Sequence, residues 1–116
     1  MLHTNLTHVL TEQEHKQLLQ ENENVMICCG RMGPMCIPVY EVMEEIENEY
    51  KNVKFADMEF DSPDAKVIRN LPECRSFQGL PFVVYYKNGQ VVKATSSIQN
   101  KEQVTTILDA NFVKQN

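Results

Sequence analysis

Apolar positions recur along this chain with two periods, and each change of period marks an element. Thr11 and Glu14 have the form of a capping box, with Leu18 and Leu19 after them, so a first helix is predicted over 12–22. "NVMICC" (24–29) follows as an apolar run short enough for a buried strand. Val39, Val42, Met43, Ile46 and Tyr50 then return at helical spacing, with Pro38 either opening that helix or kinking it near its start. "NVKFADMEFD" alternates at Ala56, Met58 and Phe60 and predicts a strand, and "SPDAKVIRNL" predicts a short helix capped by Ser62. "LPFVVYYKNGQVVKAT" predicts a hairpin turning at Asn88-Gly89, the pair that best tolerates positive φ. Asn100 and Gln103 cap a last helix with Val104, Ile107, Leu108 and Phe112 on one face. Strands alternating with helices, then a hairpin, imply an α/β domain with a partly parallel sheet covered on both faces.

Composition narrows the function more than the fold. A chain of 116 residues is long enough for one domain with one real core, and 42% hydrophobic against 23% charged residues is ordinary for a globular protein. The net charge of −5 argues against nucleic acid, whose phosphates call for a basic face. No apolar run is long enough to span a bilayer, and "MLHTNLTHVLTEQEH" lacks the cationic start and apolar core of a secretory signal. A cytoplasmic monomer away from membranes is the expectation. His3, His8 and His15 show no ligand spacing and read as surface histidines.

The chemistry lies in four cysteines: Cys28, Cys29, Cys36 and Cys74. Clustered thiols without a secretion signal point to redox or metal chemistry before a structural staple. Adjacent strand residues face opposite ways, so Cys28 and Cys29 cannot easily share a metal; neither a metal nor another cofactor is expected. Cys36 opens a helix, where unpaired amides favour an anion. Six residues separate it from Cys29, and Gly30, Gly33 and Pro34 would let the intervening loop fold back.

The element order, the cysteines at the first strand–helix junction and the segment "GLPFVVYYKNGQVV" together resemble the thioredoxin family over nearly the whole chain. "EEIENEY" is similar to that family's second helix, "KFADMEFD" to its central strand and "KEQVTTILDANF" to its last helix. The resemblance implies one thioredoxin-fold domain over 1–116, with a central mixed sheet flanked by helices. It also implies a cis Leu80–Pro81 bond in a loop that faces the active cysteines and binds an extended substrate segment. Aligned without gaps, Cys36 falls on the family's resolving cysteine, Gly33 on its nucleophile, Met32 on the neighbouring tryptophan and Ile27 on its buried acid. Around "NLPECRS" the chain carries an insertion that contains Cys74.

By this likeness the chain is expected to exchange thiols and disulfides through Cys29 and Cys36, passing electrons from a reductase to protein disulfides. Cys29 should share the face of Ile27, taken to lie beneath the start of the second helix. Cys74 could replace Cys29 as partner, act as a third thiol that relays oxidation, or be an incidental loop thiol. Asp57 would suit acid–base work if it faced the core, although a solvent-facing carboxylate is the plainer reading. Met32, Met35, Leu80 and Pro81 are the candidates for an apolar substrate rim. Arg31 either stabilises a thiolate or is a solvated loop charge. The alternative function is a protein-binding module that keeps the Pro81 groove and has lost turnover.

Overall fold

The computed structural model describes residues 2–77 and 79–112. Strands β1 (Thr7–Val9), β2 (Asn24–Gly30), β3 (Lys54–Glu59), β4 (Phe82–Lys87) and β5 (Gln90–Ser96) form one sheet in the order β1-β3-β2-β4-β5. β1, β3 and β2 run parallel, whereas β4 and β5 are antiparallel to their neighbours. Helices α1 (Glu12–Glu21), α2 (Ile37–Ile46), α3 (Lys66–Arg69) and α4 (Lys101–Asn111) cover both faces.

The sequence signals act where they were expected. Thr11 accepts the N–H of Glu14, although the Glu14 carboxylate takes the Leu10 N–H and not that of Thr11, and Asn100 and Gln103 exchange both bonds of a capping box. Pro38 occupies the first turn of α2 and so opens the helix. Asn88 and Gly89 both have positive φ, 52° and 78°, which suits the right-handed twist of the hairpin strands. Leu80–Pro81 is cis. Between Tyr85 and Tyr86 the β4–β5 register shifts, which leaves Val92 as an extra residue bulging from β5.

Two elements depart from expectation. β1 was not predicted, because three residues with one apolar side chain carry no readable period. α2 ends at Ile46, not near Tyr50; Tyr50 is held by a further turn through its N–H to the Ile46 carbonyl.

Two apolar clusters lie on opposite faces of the sheet. Beneath α2 and α4 are Met26, Cys28, Cys36, Tyr40, Phe55, Val83 and Tyr85. Beneath α1 and α3 are Val25, Ile27, Cys29, Met58, Cys74, Phe82 and Val84. Alternation along β2 therefore sorts adjacent cysteines into separate compartments.

His15 is not a surface residue. It is buried on α1, with Nε2 3.1 Å from the Tyr86 hydroxyl. Burial lowers its pKa below the ordinary 6.5, with Glu12 opposing. The folded chain keeps His15 neutral at pH values where the unfolded chain takes up a proton. Its contribution to stability is therefore complete above about pH 6.5 and is lost as the pH falls below it. Urea midpoints measured between about pH 7.5 and 5.5 should fall with pH in the native protein and flatten in His15→Gln. An unchanged slope in the variant would rule out this residue as the source.

Candidate active site

The site is built where β2 gives way to α2. Cys36 is the N-cap residue of α2 and only 2% exposed. Its Sγ accepts the backbone N–H of Arg31 at 3.4 Å. A Cβ built on Gly30 would stand 2.8 Å from that sulfur, 2.7 Å from the Tyr40 hydroxyl and 3.1 Å from Pro81 Cβ. Gly30 thus allows helix start, strand end and Pro81 loop to meet at one point. The Tyr40 hydroxyl closes the ring by donating to the Arg31 carbonyl at 3.2 Å. Burial raises the pKa of Tyr40, so it stays a neutral donor.

The turn above the sulfur carries Met32 and Met35, which are 41% and 43% exposed. Pro81 is buried, and Leu80 is half-buried between the two clusters. Of the expected rim residues, Pro81 closes on Gly30 beside the Cys36 sulfur, and Met32 and Met35 lie on the turn that leads into Cys36. The Arg31 guanidinium is taken by Asp61 through two 2.8 Å bonds and lies 5.2 Å over the Phe60 ring. It is an exposed loop charge held in an ion pair, with Cys36 within its electrostatic reach.

The expectation for Cys29 requires correction. Cys29 does share the face of Ile27, but that face packs against α1 and α3, where Cys74 also lies. The cysteine beneath the start of α2 is Cys28. The sequence reading assigned the wrong parity of β2 to α2, and a one-residue slip in parity exchanges the faces. Cys74 is likewise no loose loop thiol, because the 3₁₀ turn Pro72–Cys74 inserts it into the core. Burial raises the Cys29 pKa to about 12 and the Cys74 pKa to about 11, and lifts Cys28 well above its ordinary value. After burial, the next largest influence on Cys28 is its electrostatic interaction with Cys36. These three stay protonated near neutral pH and need a base before they can attack.

Asp57 is buried, at 1% exposure, which overturns the solvent-facing reading. It pairs with Cys28 of β2 on one side and with His8 of β1 on the other. His8 Nδ1 lies 2.6 Å from Asp57 Oδ1, and the Thr4 hydroxyl donates to Oδ2. His8 is thus a partner of the site and not an unattached surface histidine. Burial raises the Asp57 pKa, against the Thr4 and His8 hydrogen bonds that hold it down. The N-terminal segment seals this edge: Leu2 and Leu6 are buried, Asn5 donates its N–H to Glu44 at 2.7 Å, and His3 donates its N–H to Met32 Sδ at 3.4 Å. Sequence reasoning missed Cys28, His8 and Thr4. No local signal in the sequence pointed to Cys28, because every residue of β2 is buried.

Sheet order, helix layers, a cis-proline and a cysteine opening α2 beside it define a thioredoxin-fold domain. Comparison with known proteins gives the same architecture. The structure is similar to Plasmodium falciparum thioredoxin, at 19% identity over 91% of this chain and 99% of that one, with a TM-score of 0.70. It is similar to oxidised thioredoxin O2 of Arabidopsis thaliana, at 11% identity over 96% and 97% and a TM-score of 0.74. Oxidised mitochondrial thioredoxin 3 of Saccharomyces cerevisiae matches at 22% identity over 90% and 94%, with a TM-score of 0.72. No family model matches the chain, and a search of curated proteins found no match. At these identities the likeness establishes the fold. Among the described residues no helix is long and apolar enough to cross a membrane.

Proposed function

We propose that the chain exchanges thiols and disulfides on protein substrates, with Cys36 meeting the substrate sulfur and Cys28 resolving the mixed disulfide. One observation carries this reading: the Cys36 sulfur and Pro81 both close on Gly30 at the helix start, and the turn leading into Cys36 exposes Met32 and Met35. A client segment lying along Leu80–Pro81 would present its disulfide to Cys36 once the Met32–Met35 turn lifts. Electrons would return through a reductase acting on the oxidised pair.

Cys28 is favoured over Cys29 as partner by face. Gly30, over which the Cys36 sulfur rests, and Cys28 lie on the same side of β2, about 6.6 Å apart. Mild oxidation, rapid alkylation and peptide mapping test the pairing. The expected bridge is Cys28–Cys36. A Cys29–Cys36 bridge would keep the exchange chemistry and reverse the face assignment, and four thiols that resist oxidation would end the redox reading.

A second reading has its own support, because all four thiols are buried while Met32 and Met35 are exposed. A binding module would use the methionines and the Pro81 loop to hold a partner without chemistry. Its partner binding would survive Cys36→Ser.

A further inference from the structure

Three neighbouring strands place His8, Asp57 and Cys28 side by side, since His8 and Cys28 are both register partners of Asp57. Adjacent strands are about 4.8 Å apart, and paired residues of parallel strands point to the same face. That face holds Cys28 and Cys36 beneath α2. One end of this row is half-buried at the sheet edge, with the His8 side chain 23% exposed, and the other end is the thiol pair. We propose that His8, braced with Thr4 on the N-terminal segment, is a positioning residue that keeps Asp57 ready to take the proton of Cys28 in the resolving step. The proposal rests on the exchange reading above.

The step balances without any further reactant. Once Cys36 has formed a mixed disulfide with the client, the Cys28 proton passes to the Asp57 carboxylate. The Cys28 thiolate attacks the Cys36 sulfur, so the Cys28–Cys36 bond forms and the bond from Cys36 to the client breaks. The client leaves as a thiolate and takes up a proton. Its disulfide is reduced by two electrons, and the Cys28/Cys36 pair is oxidised by two.

Geometry fixes the part each group plays. An ionised carboxylate has no proton to give, so while Asp57 is charged the 2.6 Å contact is an Nδ1–H donated by His8. Thr4 supplies a second donor to the other oxygen. These bonds favour the charged carboxylate against its burial. Asp57 also faces Cys28 from β2 and acts electrostatically on Tyr40 of α2; Glu44 of α2 works against its ionisation.

The test uses a chromogenic aromatic disulfide, 5,5′-dithiobis(2-nitrobenzoate), in stopped flow across pH. Attack by Cys36 releases the first equivalent of the coloured thiolate, and resolution by Cys28 releases the second. The rate of the second release should fall toward acid as Asp57 protonates. In His8→Ala that acid limb should move up by about one pH unit, the worth of a hydrogen bond to a charged group. His8→Asn puts an amide donor near the Nδ1 position and should return the limb toward its native place, and Asp57→Asn should abolish it. A merely structural role would slow the reaction without moving the limb, so an unmoved limb in His8→Ala overturns the proposal. If the native protein never releases a second equivalent, the dithiol reading fails and the relay falls with it.

Discussion

Cys36→Ser should abolish disulfide exchange, with the thiolate-coupled reduction of a protein disulfide falling to the buffer background. Serine nearly matches cysteine in size and can accept the Arg31 N–H, so the helix start keeps its geometry. Oxygen cannot form the mixed disulfide, however, and the other three thiols are held protonated by burial. No substitute nucleophile stands ready. The informative control is Cys74→Ala on the far side of the sheet, which should lose stability through the small cavity it leaves and keep its exchange rate. Turnover measured with a chemical reductant decides the matter. A Cys36→Ser protein that still reduces disulfides at the native rate would remove Cys36 from the centre of the site.

Gly30→Ala should meet the tightest contacts of any glycine-to-alanine change in the chain. Its Cβ would stand under 3 Å from both the Cys36 sulfur and the Tyr40 hydroxyl, and 3.1 Å from Pro81 Cβ. Neither of the first two can swing aside cheaply, because Cys36 is fixed at the helix start and Tyr40 is buried and bonded to the Arg31 carbonyl. Overpacking of this kind costs about 1–3 kcal/mol. For a chain of this length that corresponds to a fall of several degrees in melting temperature. The relief available is to push α2 away from β2, which would also separate Cys36 from Pro81. Stability and exchange should therefore fall together. An alanine variant that melts with the native protein would mean that this junction is looser than its distances indicate. Gly33, whose Cβ would meet nothing within 4 Å, should accept the same change far more easily.

How much of this could be read from the chain depended on whether a feature was local. Caps at Thr11 and Asn100 and the Asn88-Gly89 turn are each specified by a few adjacent residues, and each was legible, whereas the cis Leu80–Pro81 bond followed from the family resemblance. Cys36 was found because a cysteine before a helix is also a local signal. What failed needed knowledge of neighbours. The parity of β2 relative to α2 depends on where the loop from Gly30 to Cys36 lands, and a central strand buried on both faces shows no alternation from which to read it. Asp57 lies in β3, where the residues from Phe55 to Met58 are all buried, so no polar face announced its direction. His8 and Thr4 reach Asp57 from about fifty residues away, through a strand too short to leave a pattern.

The bulge at Val92 and the brevity of β1 bear on how this chain behaves in company. A sheet's outer strands offer unpaired amides and carbonyls to any other extended chain, and long flat edges invite runaway stacking. Here one border strand has three residues. The other is interrupted at Val92 and carries Lys93 beside the break. Neither border offers a second molecule a long, regular ladder to extend, so the sheet is guarded against edge-to-edge aggregation at both sides.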